Sequence, residues 1–334
     1  MPSISLAPFF PVGPTYAGEA ICSDEKYIYV RVVDIGTGAH YVNALDLTGT
    51  IKPGWPPLGT LLPGVGGSPL TPPSYCGNLI VAQLDGGEQY ATRLVSLNEW
   101  ASGASGLMVT VLNATNGAIV ASGDGDIPTL PGPFVPANCY PQGGLVSDGG
   151  RVYFTWKDST GTGGGIGTAL INNPALGSGY ATMPYAIPSA DCNQLIYDGS
   201  CVWYFDWTGD IYIFRRLEDT MDLKTGAAVI GSAKFAAFDG LNIWMQDLEA
   251  ANSSWQLLKI PAMSVAAVGS GGQGLASMIN GGAGMMQLSE AGTVPASQVG
   301  KMCFDGDSVW MIMTTVGGVA VSGKLRRVPR AGLR

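Results

Sequence analysis

The sequence predicts an all-β chain folded as a six-bladed β-propeller, with five or seven blades as the alternatives, and three observations predict it. A short motif, Asp-Gly-x-x-Val/Ile-Trp, recurs along the 334 residues. Its copies are spaced like blades of three or four short antiparallel strands. No stretch sustains a 3.6-residue apolar period, so no substantial helix is expected.

Taken in chain order, Ser3-Ile4-Ser5-Leu6 is a short strand at the N-terminus. The first copy of the motif is Ser23-Asp24-Glu25-Lys26-Tyr27-Ile28-Tyr29-Val30, where glutamate replaces the glycine. A degenerate copy follows at Tyr75-Cys76-Gly77-Asn78-Leu79-Ile80-Val81. Then come Ser147-Asp148-Gly149-Gly150-Arg151-Val152-Tyr153-Phe154 and Tyr197-Asp198-Gly199-Ser200-Cys201-Val202-Trp203-Tyr204. The two clearest copies close the series: Phe238-Asp239-Gly240-Leu241-Asn242-Ile243-Trp244-Met245 and Phe304-Asp305-Gly306-Asp307-Ser308-Val309-Trp310-Met311.

Each copy reads as a turn followed by a strand. Glycine tolerates positive φ, and aspartate bonds backbone N–H groups two residues on. The β-branched and aromatic residues behind them favour a pleated, packed strand. A second strand is expected after each: 40–47, 90–97, 166–171, 210–217, 255–260 and 323–328. Asp24, Asp148, Asp198, Asp239 and Asp305 are assigned to structural turns. Trp203, Trp244 and Trp310 are assigned to packing between blades.

The spacing favours a ring. The turn positions are 24, 76, 148, 198, 239 and 305. They recur at intervals of roughly 40–70 residues, the span of a four-stranded blade with or without an insertion. Joining the termini leaves roughly 50 residues from position 305 round to position 24, which is one further blade. Lys324–Val328 would then be the third strand of the last blade, and Ser3–Leu6 its outer fourth strand, tying both chain ends into one sheet. The whole of 1–334 is read as one domain, with insertions at about 99–140 and 261–300.

Composition narrows the function. The formal charge is −8, and 13% of residues are charged, about half the usual share of roughly a quarter. Glycine numbers 49, twice its usual frequency of about 7%. The last eleven residues hold five basic groups and no acid, so residues 1–323 carry twelve basic against twenty-five acidic groups. Such an acidic body disfavours non-specific nucleic-acid binding, which relies on Lys and Arg neutralising phosphates, and no specific nucleic-acid partner is expected. No apolar run reaches the roughly 20 residues of a membrane helix. The start, Met1-Pro2-Ser3-Ile4-Ser5-Leu6, lacks a basic n-region, so no signal peptide is expected. Six cysteines without a C-x-x-C pair fit free thiols better than a disulfide framework or a zinc site.

Catalytic constellations are scarce. One histidine, His40, serves the chain, and it lies in an alternating strand without a G-x-S-x-G element elsewhere. Gly269-Ser270-Gly271-Gly272-Gln273-Gly274 matches a dinucleotide fingerprint formally, but no βαβ unit surrounds it. Asp124-Gly125-Asp126 and Asp305-Gly306-Asp307 lack the full calcium-loop spacing. Calcium could still be held in a channel by residues from several blades, where Glu19 and Asn193, each just ahead of a repeat, are the positions to inspect. No cofactor is expected otherwise.

The repeated Phe/Tyr-Asp-Gly-x-x-Val/Ile-Trp pattern resembles propeller repeats of the NHL and YncE-like group. It is also similar to tail or other virion-associated propeller proteins of tailed bacteriophages. That resemblance implies a non-enzymatic role in assembly or adhesion, as a tail, receptor-binding or capsid-decorating protein assembled in the host cytoplasm. Partners would be other virion proteins, copies of itself, or a host surface glycan or receptor. Residues 53–84, 127–147, 159–190 and 260–289 contain no Asp, Glu, Lys or Arg, as interface centres often do. Two alternatives stand beside this expectation. One is a metal-dependent propeller enzyme of the lactonase or lyase kind, and the other a carbohydrate-binding adhesion propeller suggested by eight Trp and thirteen Tyr.

Overall fold

A computed structural model of the chain describes residues 3–5, 16–34, 37, 39–62, 78–85, 90–99, 107–123, 139–149, 151–158, 164–170, 192–206, 211–215, 220–225, 235–249, 254–261, 286–287, 299–316 and 319–329. These form twenty-three strands in six antiparallel sheets. Among the described residues no helix is long and apolar enough to cross a membrane.

The chain opens with β1 (Ser3–Ser5). Sheet I holds β2 (Tyr16–Ser23), β3 (Tyr27–Asp34), β4 (His40–Asp46) and β5 (Thr60–Leu61). Sheet II holds β6 (Asn78–Asp85), β7 (Tyr90–Glu99), β8 (Leu107–Asn113) and β9 (Ile119–Gly123). Sheet III holds β10 (Cys139–Ser147), β11 (Arg151–Asp158) and β12 (Gly164–Leu170) among the described residues. Sheet IV is β13 (Cys192–Tyr197), β14 (Val202–Asp206), β15 (Ile211–Arg215) and β16 (Thr220–Thr225). Sheet V is β17 (Ala236–Phe238), β18 (Asn242–Glu249), β19 (Ser254–Pro261) and β20 (Met286–Gln287). Sheet VI joins β21 (Val299–Phe304), β22 (Ser308–Val316) and β23 (Val319–Pro329) to β1, through the register Ser3↔Arg326 to Ser5↔Lys324.

Four repeats share one turn chemistry, set by their sequence. In sheet VI, Asp305 Oδ1 accepts the backbone N–H of Asp307 (2.8 Å) and Ser308 (2.6 Å), while Oδ2 accepts Trp310 Nε1–H (2.6 Å). Asp239 does the same with Leu241, Asn242 and Trp244, and Asp198 with Ser200, Cys201 and Trp203. Asp24 accepts Lys26 and Tyr27 N–H, and the Tyr29 hydroxyl takes the place of the indole at 2.8 Å. In the copy at Asp148, Tyr153 donates to the carboxylate at 2.8 Å. The motif is therefore a carboxylate clip that fixes the turn and orients the aromatic five residues on. Gly149, Gly199, Gly240 and Gly306 follow the aspartates with φ of 87–94°, and Glu25 occupies the same left-handed region at φ 72°.

The core lies between sheets. Ile21, Ile28, Val30 and Val32 of sheet I pack on Trp310 and Ile312 of sheet VI. The other face of sheet I, with Cys22, Tyr29 and Val42, packs on Leu79, Leu94 and Leu112 of sheet II. Comparable clusters join V to VI, around Trp244 and Met311, and III to IV, around Tyr153 and Tyr204. A strand buried on both faces reads as a nearly unbroken apolar run, as in Ile28–Val32 save Arg31.

Two expectations need correction. The degenerate copy at Tyr75–Val81 is not equivalent to the others: Leu79–Val81 lie on β6, the first strand of sheet II, whereas the other copies lead into the second strand of their sheets, and residues 75–77 are outside the described set. The β6–β7 connection is 86–89, directly after Asp85, because Asp85 pairs with Tyr90. The segment 99–140 is in part regular sheet, since β8 and β9 are the third and fourth strands of sheet II. Likewise Met286 and Gln287, within 261–300, pair with Leu257 and Gln256.

Candidate functional site

The first strand of each sheet neighbours the first strand of the next, from β2 through β6, β10, β13 and β17 to β21, which neighbours β2 again. All six line one cavity of about 240 Å³. Leu79, Leu145, Ile196, Ala237 and Met302 stand among its lining residues, together with the polar Ser23, Ser147, Gln194 and Lys301.

Irregular register brings polar groups to this axis. Among the described residues, four of the six first strands carry a bulge at the same level, shortly before the turn aspartate: at Gly18/Ala20, Pro141/Leu145, Cys192/Gln194 and Val299/Met302. An extra residue twists the strand locally and re-aims side chains. Gln194 lines the cavity and reaches beyond its neighbour: Oε1 accepts Ala236 N–H of β17 (3.1 Å), and Nε2 donates to Met302 O of β21 (3.0 Å). That strut ties sheets IV, V and VI. Lys301, at the equivalent bulge of β21, is 5% exposed and lines the same cavity. Cys22 and Cys303 line it as free thiols. Burial pushes both well above the usual thiol range, with Cys303 and Asp24 adding to the effect at Cys22, and Asp305 at Cys303.

The bulge in β2 places Glu19 in a second buried cluster. Arg31 Nε donates to Glu19 Oε2 at 2.7 Å, and Arg31 Nη1 donates to Ser96 Oγ of sheet II at 3.1 Å. His40 Nδ1 stands 2.8 Å from the same carboxylate oxygen and 3.2 Å from Arg31 Nη2, while its Nε2 is buried without a partner. Burial alone would raise the Glu19 carboxyl, but Arg31 and His40 outweigh it and hold it below its usual range. A lone arginine within an apolar strand is itself a signal that a buried carboxylate must face it.

A third tie crosses from sheet I to sheet II. Lys52 Nζ donates to Ala114 O (2.7 Å) and Tyr29 OH (3.0 Å), and sits 3.8 Å from the centroid of the Tyr27 ring. Burial lowers its pKa, partly offset by Asp24. Nothing in the sequence around Lys52 marks this role.

Among the other singled-out residues, Trp203, Trp244 and Trp310 are each at most 1% exposed, so none presents a ring face to a sugar. The Asp307 carboxylate pairs with Arg327 at 3.3 Å and accepts from Ser308 Oγ, while the Asp305 carboxylate is taken up by its own turn and Trp310. The Asn193 side chain, Asp124, Asp126 and Gly269–Gly274 lie outside the described residues, as do the Cys139 and Cys192 side chains. Among the described residues no three His, Cys, Asp or Glu side chains converge in the manner of a metal site.

No family model matches the sequence, and no curated protein matches it either. Solved structures do resemble it. The WD40 repeats of RRP9 superpose with a TM-score of 0.52 at 10% identity, covering 95% of this chain and 96% of that one. The U3-55K structure gives 0.50 at 10% identity, covering 95% of this chain and all of the other. The chain is a β-propeller. A neuraminidase-like protein of subtype N11, from A/flat-faced bat/Peru/033/2010 (H18N11), also matches with TM-score 0.50 at 12% identity, covering 94% and 88%. At these identities the likeness concerns the propeller fold alone. The carboxylate clips, the bulges and the buried ties are features of this propeller's own sequence.

Proposed function

We propose that sheets I–VI are six blades, the last completed by β1, and that the propeller is a non-enzymatic structural and interaction protein of a tailed-phage virion. Its partners would be other virion proteins or further copies of itself, met during assembly in the host cytoplasm. The contribution of one first strand from each sheet to a single cavity supports the blade count.

One observation carries the functional reading. Several buried polar groups hold sheets together: Arg31, paired with Glu19, reaches Ser96 and so joins I to II, Lys52 does the same, and Gln194 joins IV to V and VI. A channel cation would need three or more carboxylate or amide oxygens aimed at one point. The described lining contains no carboxylate, it includes the basic Lys301, and the Gln194 amide is bonded at both ends. Long uncharged segments such as 159–190 and 260–289 complete the case for surfaces that meet protein.

The test is quantitative mass spectrometry of gradient-purified particles from the phage that encodes the chain. A fixed copy number relative to the major capsid protein is expected. Recovery of the chain only as a free monomer, with none in the particles, would overturn the proposal.

A further inference from the structure

We propose that copies of this chain exchange the outer strand of sheet VI, so that β1 of one copy adds to the free edge of β23 in a second. Sheets I, II, IV and V each take four strands from consecutive chain. Sheet VI instead takes its outer strand from the other end of the sequence, through the pairs Ser3↔Arg326, Ile4↔Leu325 and Ser5↔Lys324. These three pairs hold β1 against a strand of 11 residues. Among the described residues nothing pairs with the same edge at Val319–Gly323 or Arg327–Pro329. A short terminal strand opens at low free-energy cost, and this one leaves from the outside of its sheet. The vacated edge would present unpaired N–H and C=O groups, which an identical strand satisfies in the same register.

The connection between β1 and β2 favours a second copy as acceptor. Leu325 pairs with Ile312 on its other side, and Gly18 of β2 lies against the Ile312 side chain. Ile4 therefore stands two strand spacings, about 10 Å, from the residue that β2 meets. Residues 6–15 carry Pro8, Pro11 and Pro14, the three-residue spacing of a polyproline II segment. Each proline also biases the residue before it toward extended backbone. Such a segment reaches about 30 Å at ~3.1 Å per residue, well beyond what the path within one copy needs. A connection longer than its span lowers the effective concentration of β1 at its own edge, which short linkers set in the millimolar range. Copies held together at comparable concentrations then compete with closure, and a reciprocal trade of strands closes a two-fold dimer. This gives self-association within a virion its contact, yet the purified chain alone tests it, so either proposal can fail without the other.

Two variants at facing positions, Ser5→Cys and Lys324→Cys, read the exchange. They are unfolded together in urea, refolded at about 0.01 mM or about 0.5 mM, far below and near the effective concentration of closure, and oxidised with glutathione disulfide. A dimer linked between positions 5 and 324, identified by peptide mass mapping, is expected, with a yield at least tenfold higher at the upper concentration. Neither variant refolded alone can form that link. The double variant Ser5→Cys/Lys324→Cys should close within one chain at the lower concentration, which checks the register. If a variant does not fold, light scattering of the wild type refolded at the same two concentrations decides. A dimer is expected at the higher one, and deletion of residues 1–5 should abolish it. The proposal is overturned by a double variant that fails to close, or by one that closes while the mixture gives no linked dimer. A wild type monomeric at both concentrations, or a dimer that survives the deletion, overturns it equally.

Discussion

The clip between Asp305 and Trp310 offers the sharpest test of how the repeat motif works. Asp305 is 3% exposed and Trp310 fully buried, and their 2.6 Å bond joins a carboxylate to an indole N–H. Asp305→Asn keeps Oδ1 for the Asp307 and Ser308 N–H groups but turns an amide N–H₂ toward the indole donor. Loss of one bond to a charged acceptor costs about 1.5–3 kcal/mol. Trp310→Phe removes the same bond, leaves Oδ2 without its donor, and opens a cavity of ~40 Å³ worth about 1 kcal/mol at ~24 cal/mol per Å³. Single variants should therefore lose about 2 and 3–4 kcal/mol, and the double variant less than their sum by about 2 kcal/mol. Urea unfolding of the four proteins, with m-values compared, reads the coupling directly. For 334 residues the unfolding entropy is about 0.7 kcal/mol/K, so 2 kcal/mol is only ~3 °C in Tm, and denaturant titration is the better assay. The Asp305→Asn/Trp244→Phe pair, from different sheets, should show coupling near zero. A coupling below about 0.5 kcal/mol for Asp305 and Trp310, the scatter of independent sites, would refute the clip and leave the tryptophan as packing alone.

The turns, the interfaces and the buried acids are each open to test. Glu25→Gly should stabilise by about 0.5–1 kcal/mol, because it relieves a left-handed residue at φ 72° against the entropy of a new glycine. Gly240→Ala, where an added Cβ meets nothing within 4 Å, should cost about 1 kcal/mol from φ alone; both are read in urea, and unchanged midpoints would sink the strain argument. Gly18→Ala should cost about 1–3 kcal/mol by the same measurement, since its Cβ would overlap Ile312 Cγ2 across the I–VI interface. Burial would raise the carboxyls of Glu19 and Asp239, but both lie below their usual values: Arg31 and His40 outweigh burial at Glu19, and bonds from Trp244 and Asn242 do so at Asp239. Their contribution is present above the unfolded values near 4 and is lost as pH falls through the folded ones. Glu19→Gln should therefore flatten the acid limb of a stability-versus-pH curve while lowering neutral stability by about 3 kcal/mol, through loss of the buried charge pair with Arg31.

The hairpins are legible in the sequence because their chemistry is local. Asp239 can reach Leu241 and Asn242 N–H in any chain, and the β-branched residue and tryptophan that follow favour an extended strand. Sheet II is misplaced by that logic because Leu79-Ile80-Val81 has the composition of a strand after a turn, whereas it precedes one. The connection after Asp85 lies nearly midway between Asp24 and Asp148, so the corrected turn spacing is the more even one. The axial groups are only half visible. Glu19 stands out as an acid ahead of a repeat, but its partners Arg31 and His40 come from β3 and β4, and Ser96, which Arg31 reaches, comes from β7; no local pattern joins them. Gln194 and Lys301 depend on bulges, which register alone reveals.

The low charge divides into two parts. Residues 78–84 and 139–147, within two of the uncharged stretches, are first strands beside the axis, and the fold excludes charge from them as it does from Ile28–Val30. The segments 63–77, 124–138, 171–191 and 262–285 lie outside the described strands, and Asp124, Asp126 and Asp191 are their only charged residues. If they meet partner proteins, desolvating a new carboxylate there should be costly in the assembly and nearly free in the isolated chain. Ser68→Asp with Thr71→Asp places two such charges in the first segment. On this reading the urea midpoint should move by less than about 0.5 kcal/mol equivalent. Incorporation into purified particles should fall at least tenfold. Undiminished incorporation, with an unchanged midpoint, would show that this uncharged segment is not an interface and would remove it from the argument for assembly.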